Sequence, residues 1–339
     1  MTRTLNIGLI GAGRIGRVHA ENLAYRIPEA NLVAVSDIIF PAAEQLAADF
    51  QISAAYQDHR RIMDDPAIDA IVICSSTDSH AQMIEEGAEA GKQIFCEKPI
   101  HLDLRRIDQV LESVRQAGVK LQVGFNRRFD PNFKRAREIV ASGRIGEPHI
   151  LRITSRDPEP PPISYIQVSG GIFLDMTIHD FDMARFLIGD EVEEIYATGG
   201  VMVDPAIGEA GDIDTALITL RYGNGVIGSI DNSRKAVYGY DQRVEVFGSE
   251  GVVVVSNNTP DTAQLSDSIG VHGALPLFFF VERYTDAYLA EMREFVACVL
   301  EDRTPSVTGI DGRIPVVMGY AARKSYDENR PVKLSEVQK

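Results

Sequence analysis

Six residues near the start of the chain, Gly11-Ala12-Gly13-Arg14-Ile15-Gly16, restrict its fold more than any other stretch. They follow a short β-branched apolar run, residues 5–10, and precede a helical pattern that continues to about Tyr25. Strand, glycine turn and helix in that order make a seat for a pyrophosphate. Gly11 permits the tight turn, Gly13 lets the backbone approach the phosphates, and Gly16 lets helix and strand pack closely. The helix start adds unpaired N–H groups and the positive end of a dipole. A second strand, residues 31–36, ends in Asp37, about 20 residues beyond Gly16, where a carboxylate meets the ribose hydroxyls of an adenine dinucleotide. That carboxylate would repel a 2′-phosphate, and Ile38 beside it offers no group to receive one. The pattern therefore favours NAD over NADP, with Arg60 and Arg61 as the nearest competing cations.

The alternation of strands and helices continues. A helix is predicted over residues 42–50 and a buried parallel strand over 69–74, ending in Ser75-Ser76-Thr77-Asp78-Ser79-His80. Small hydroxyl residues at that end of a strand sit where open α/β sheets bind ligands, and Ser79 reads equally as the N-cap of the helix running to Ala90. The next strand, residues 93–96, leads into Glu97-Lys98-Pro99. A lysine there, ahead of a proline that restricts its backbone, projects into the ligand crevice, where it can hold a substrate hydroxyl and stabilise a developing alkoxide. The plain alternative is a surface lysine beside a turn proline. A helix over 103–117 and a strand over 120–125 complete a first domain, residues 1–124.

Residues 125–339 read differently. A basic amphipathic helix over 132–142, with Lys134, Arg135 and Arg137 on a solvated face, is followed by a strand over 150–155. Four prolines in residues 156–162 then impose a loop. Five β-like segments, 195–203, 215–222, 226–232, 242–247 and 252–256, are separated by glycine-containing turns, the pattern of an antiparallel sheet. Helical spacing returns over 284–300 and 311–327, for helices that cover the sheet or pack back on the first domain. The second piece of chemistry lies at residues 170–189, GGIFLDMTIHDFDMARFLIG. As one helix, this stretch sets Asp175, His179 and Asp182 on a polar stripe at i, i+4 and i+7, with Phe173, Met176, Ala184, Leu187 and Ile188 on an apolar flank. A carboxylate beside an imidazole fixes its tautomer and stabilises its protonated form, which suits a general base near neutral pH. Alone, such a pair is more often merely solvated.

Bulk properties narrow the partners. The 339 residues exceed a usual single domain, and their 45% hydrophobic content fills a sizeable core. A formal charge of -15 argues against nucleic acid and anionic membranes and leaves small molecules. With no apolar run of membrane length and no leader-like start, a cytoplasmic protein is expected. Three cysteines, with no CxxC and no nearby histidine cluster, suggest buried thiols in a reducing compartment and no metal site.

The stretches GAGRIGRVH, SSTDSH, CEKP, VGFNRRFDPNF and GGIFLDMTIHDFDMARFL, in this order, resemble the Gfo/Idh/MocA oxidoreductases, and within them the inositol dehydrogenases. The resemblance spans nearly the whole chain. It implies an α/β Rossmann dinucleotide-binding domain, then an α+β C-terminal domain with a large, mainly antiparallel open sheet that serves for substrate binding and tetramer assembly. It also implies NAD as cofactor and a cis bond before Pro99. Lys98, Asp175 and His179 correspond to the family's catalytic lysine, aspartate and histidine. Gly11, Ala12, Gly13, Arg14, Ile15, Gly16, Asp37, Thr77, His80 and Glu97 match its cofactor-contacting positions, with Ile38, Ser76 and Lys98 completing that surface. Arg127, Asp157, Asp182 and Tyr240 are the expected substrate contacts beside the catalytic three; an aromatic turn is the commoner meaning of the Tyr240 segment.

The implied reaction is oxidation of a secondary hydroxyl of a cyclic polyol, foremost myo-inositol at carbon 2. Ser155-Arg156-Asp157-Pro158 departs from the His-Arg-Asn-Pro of some inositol dehydrogenases, and Met176 stands where some relatives have threonine. Scyllo-inositol, another isomer or an aldose therefore remain as substrates. Two readings from other classes stand beside this one: an NAD-dependent glycoside hydrolase with no net redox change, and a non-catalytic NAD-binding sensor.

Overall fold

In the computed structural model, which describes residues 4–337, the glycine turn follows the central strand of a six-stranded sheet. Strands β1 (Leu5–Ile10), β2 (Ala30–Ser36), β3 (Ala54–Tyr56), β4 (Ala70–Ile73), β5 (Gln93–Glu97) and β6 (Leu121–Gly124) lie in the order β3-β2-β1-β4-β5-β6. All neighbours run parallel. Ile7, Leu9, Ala70, Val72 and Phe95 have no exposed surface, as expected for strands covered on both faces. The strand order reverses between β1 and β4, so the ligand crevice of such a sheet opens beside Gly11 and Cys74. β3 carries only Ala-Ala-Tyr, too short a run for a periodic signal.

The chain divides into two compact units: Met1–Phe129 with Asp286–Ile314, and Asp130–Thr285 with Pro315–Lys339. The expected boundary at residue 124 lies five residues before the end of the first segment, and the expectation also let C-terminal helices pack back on the first domain. The first unit runs on through the 3-10 turn Asn126–Phe129, and a helical segment returns to it near the C-terminus. The cause is burial: helix Thr285–Leu300 places Met292, Phe295 and Val296 in the same core as Leu5, Leu9, Val72 and Phe95. The second boundary falls inside helix Gly309–Glu328, between Ile314 and Pro315.

The second unit is built on a seven-stranded sheet. Its strands are β7 (Pro148–Arg156), β8 (Val192–Gly200), β9 (Thr215–Tyr222), β10 (Ile227–Ser233), β11 (Asp241–Gly248) and β12 (Val252–Val255), closed at one edge by a short strand near the C-terminus. Between them in sequence, β13 (Gln264–Ser266) and β14 (Val271–Gly273) form a separate hairpin, so the closing strand, Val332–Lys333, is β15. The order is β12-β11-β7-β10-β9-β8-β15, with β7 and β10 parallel and the other pairs antiparallel. Alternation decides the faces: Ala216, Ile218 and Leu220 of β9 point into the core while Leu217 and Thr219 point out. Helix Ile178–Ile188 is tied to β9, with the Tyr222 hydroxyl donating to the Ala184 carbonyl at 3.0 Å. The outer face exposes Leu217, Ile227, Phe247, Val252 and Val254.

The basic helix forms as Pro131–Ala141, but its cations are not all solvated. The Arg137 guanidinium donates to the Leu187 and Ile188 carbonyls at 3.4 and 3.3 Å, satisfying the C-terminal end of helix Ile178–Ile188, where a cation also complements the dipole. All three cysteines are free, Cys96 and Cys298 buried and Cys74 partly so.

Candidate active site

The glycine turn has the geometry that a dinucleotide requires. Gly11 takes φ +103°, where a side-chain carbon would meet the Cys74 backbone at 2.6 Å. A Cβ at Gly16 would lie 1.9 Å from the Gly11 carbonyl oxygen, so helix Arg14–Glu21 can approach the turn only with glycine there. Gly13 is different: nothing lies within 4 Å of where its Cβ would be, and Gly13 and Arg14 are exposed at the helix start. Two of the three glycines are fixed by packing within the protein, and the third faces open space at an uncapped helix N-terminus. Asp37 accepts from the Ala12 N–H at 2.7 Å through Oδ2 and from the Ile39 N–H at 2.8 Å through Oδ1. It pins the turn while retaining lone pairs for a ribose, and Ile38 beside it is 80% exposed.

Other expected cofactor residues serve as braces. His80 is buried, with Nδ1 2.8 Å from the Pro99 carbonyl and Nε2 3.0 Å from the Ser75 carbonyl. Neither ring nitrogen is left for a ligand, and burial pushes the imidazole below its ordinary pKa. It ties the end of β4 to the loop after β5. Ser79 is not at the N-cap position: Ser76 stands there, without a side-chain capping bond, before helix Thr77–Glu89, and the Ser79 hydroxyl donates back to the Ser76 carbonyl at 2.7 Å. Glu97 points inward, its Oε1 2.7 Å from Nε2 of His19, with Glu291 Oε1 4.0 Å from the same nitrogen. Sequence reading passes over this buried trio, although His19 stands three residues after Gly16 and Glu97 beside Lys98. Lys98 itself follows β5, partly accessible, and its bond to Pro99 is cis.

In the second unit the stretch 170–189 is not one helix. It forms Ile172–Asp175 and Ile178–Ile188, interrupted at Met176 and Thr177. Thr177 causes the break: its N–H reaches the Ile172 carbonyl at 2.9 Å, one residue beyond the α-helical partner, and its buried hydroxyl lies 2.6 Å from Asn232 Oδ1. The amide of Asn232 in turn donates to Asp180 at 2.9 Å. Nor is there a solvated stripe. Asp180 and Asp182 have no exposed surface, and the apolar flank from Phe173 to Ile188 is buried as expected. Of residues 172–180, Asp175 and His179 alone are not buried. Asp175 accepts from the Tyr165 hydroxyl at 2.9 Å and from Arg234 Nη1 at 3.2 Å, two partners that sequence spacing could not supply.

The remaining expected contacts divide. Asp157 is half-buried where β7 ends, its N–H donating to Ser233 and its carbonyl accepting from Ala236. Arg127 is buried in the 3-10 turn, and Arg128 beside it pairs with Asp311 at 3.0 Å. Tyr240 is buried edge-on against Tyr284, with centroids 5.9 Å apart, the aromatic-turn alternative. Asp182 has no accessible surface.

Known proteins add a direct finding. Residues 5–125 match the oxidoreductase family with an NAD-binding Rossmann fold, and residues 133–254 match the GFO/IDH/MocA C-terminal domain. The chain belongs to the GFO/IDH/MocA oxidoreductase family. It is 51% identical to the myo-inositol 2-dehydrogenase of Thermotoga maritima over 333 residues, 98% of this chain and 99% of that one. To the NAD(+) scyllo-inositol 2-dehydrogenase of Bacillus subtilis it is 37% identical, across 98% of this chain and 97% of that protein. A solved structure of a putative myo-inositol dehydrogenase from Sinorhizobium meliloti superposes with a TM-score of 0.95 at 45% identity, covering 98% and 100% of the two chains. The expected family, fold class and NAD-dependent oxidoreductase chemistry therefore stand. No helix among the described residues is long and apolar enough to cross a membrane.

Proposed function

We propose that this chain oxidises myo-inositol at carbon 2 with NAD, giving 2-keto-myo-inositol. The observation that carries the reading is the exposure pattern of residues 172–180: in a segment otherwise buried, the acid and the imidazole keep accessible surface. The similarity to inositol dehydrogenases and the retained Glu97-Lys98-Pro99 point the same way. NAD, when bound against Gly11–Gly16 and Asp37, supplies the hydride acceptor. His179 takes the hydroxyl proton at a ring nitrogen. Asp175 holds the imidazole in one tautomer and stabilises its cation, and the Lys98 ammonium binds the reacting oxygen. Arg127 and Asp157 are the proposed substrate-hydroxyl contacts. The reading includes a homotetramer joined through the exposed apolar face of the second sheet, in the cytoplasm, where free thiols persist.

The test is a screen for NADH formation over myo-inositol, scyllo-inositol, other cyclic polyols and aldoses at mildly alkaline pH, with NADP as control. The fastest turnover is expected on myo-inositol with NAD. Faster scyllo-inositol or aldose turnover would reassign the substrate. Leaving-group release from a glycoside without NADH would favour the hydrolase, and no turnover at all the sensor. Light scattering on the same preparation checks the tetramer.

A further inference from the structure

Arg234 is among the largest fully buried side chains of the protein, 1% exposed, directly after β10. Its backbone N–H donates to the Asp214 carbonyl at 2.8 Å, which fixes where the side chain starts. The guanidinium then spans two carboxylates: Nη1 donates to Asp175 Oδ2 at 3.2 Å and Nη2 to Asp212 Oδ2 at 3.5 Å. Asp212 is itself held, its Oδ1 accepting from the Ile172 N–H at 3.1 Å. Ile172 opens the short helix that ends in Asp175, and Gly171 before it leaves room for Asp212, whose Oδ1 would stand 2.7 Å from a Cβ there. The other Asp175 oxygen faces the Tyr165 hydroxyl.

Burying a guanidinium costs several kcal/mol and is weak evidence for stability, since apolar residues of similar volume often stabilise as well or better. Here the cost is not fully offset, because Nε of Arg234 is buried without a partner among the described residues. What the arrangement does provide is geometry and charge. Asp175 cannot turn about its side-chain bonds without losing the arginine. One cation between two carboxylates also leaves the cluster with a formal charge of -1, available to a neighbouring imidazole that becomes positive as it accepts a proton.

We infer that Arg234, anchored by Asp212, is a positioning residue that sets the orientation of Asp175 for proton transfer. This rests on the reading of Asp175 and His179 as the acid–imidazole pair, and the test separates the two. Arg234→Gln, Arg234→Lys, Asp212→Asn and Asp175→Asn are compared in the full-length chain with NAD and the best substrate of the screen, myo-inositol by expectation. Turnover, KM, NAD affinity by fluorescence titration and unfolding temperature are measured. Arg234→Gln is expected to lower kcat by about 10- to 100-fold, the scale of a misplaced catalytic group, with KM within about twofold and NAD affinity kept. Arg234→Lys should recover at least about half of the lost rate on a logarithmic scale. A wild-type kcat in Arg234→Gln would overturn the inference. So would a joint loss of kcat, KM and NAD affinity that lysine does not relieve. If Arg234→Gln does not fold, Asp212→Asn decides: a fall of about three- to tenfold in kcat at constant NAD affinity supports the anchor, and unchanged kcat removes it. Should Asp175→Asn turn over like the wild type, the acid–imidazole reading fails first; if it is slow while Arg234→Gln is not, only the inference about Arg234 fails.

Discussion

In the first unit Glu291 is fully buried, neither oxygen accepts a hydrogen bond among the described residues, and another carboxylate, Glu97, lies across His19 from it. In the second unit several wholly or partly buried acids meet guanidinium donors: Asp175 and Asp212 share Arg234, and Asp130 is paired with Arg283. Asp214 belongs with them, for although burial pushes its carboxyl up, the N–H groups of Met202, Asp204 and Val203 outweigh this and hold it below its ordinary value. Burial, and then the proximity of Glu97, push the Glu291 carboxyl well above its ordinary range. Burial without a donor favours the neutral form of Glu291, while Asp214 has donors that favour its charged form.

The largest expected effect tests the charged side of this contrast. Arg283→Met strands Asp130, which also caps helix Pro131–Ala141 through the Asn132 and Phe133 N–H groups. The chain should lose about 3–5 kcal/mol, read by urea unfolding, as for other broken buried pairs. A loss near zero would mean that Asp130 is adequately held by those amides alone. Next comes the chemistry. Lys98→Ala in one unit and His179→Ala in the other should each slow turnover by at least about a hundredfold while NAD affinity is kept, and an unchanged rate would remove that residue from the mechanism.

Gly13→Ala separates ligand from fold. With nothing within 4 Å of the new methyl, the unfolding temperature should hold, while NAD affinity falls by about tenfold or more because the pyrophosphate needs that space. Equal affinity would show that the phosphates bind elsewhere. The smallest effect concerns the neutral acid. Because the folded chain keeps a proton on Glu291 that the unfolded chain releases near its ordinary pKa, wild-type stability should decline as pH rises above that value. Glu291→Gln should remove this slope, raising the unfolding temperature by a few degrees at pH 8 and leaving it unchanged near pH 4. A pH-independent difference would show that Glu291 is charged in the fold.

The same contrast explains what the amino-acid order reveals. Gly11, Gly13, Gly16 and Asp37 are readable because a local turn and the strand beside it impose their spacing. The alternating faces of β9 are readable because a half-covered sheet demands them. Asp175 and His179 emerge from a four-residue interval, yet the helix expected to carry them is not continuous. Thr177 takes its partner from Asn232, 55 residues away in sequence, and no local pattern foretells that. Arg234 and Asp212 escape sequence reading for the same reason: each is ordinary in its local context and acquires meaning only across β10 and the loop before β9. His80 and Glu97 stand out in sequence, but their hydrogen bonds face inward, which spacing alone cannot distinguish from facing a ligand. Arg137 reads as part of a charged surface until the end of a distant helix gives it two carbonyls.

Burial pushes the thiols of Cys74 and Cys96 well above their ordinary value, and burial with Glu294 beside it pushes Cys298 up to about 12. In water near neutrality almost none of this sulfur is thiolate, the form that attacks a maleimide or iodoacetamide. The native chain is thus a blank background for labelling: one cysteine introduced at Val237, 84% exposed, would take up a dye selectively without removal of any natural residue of its kind.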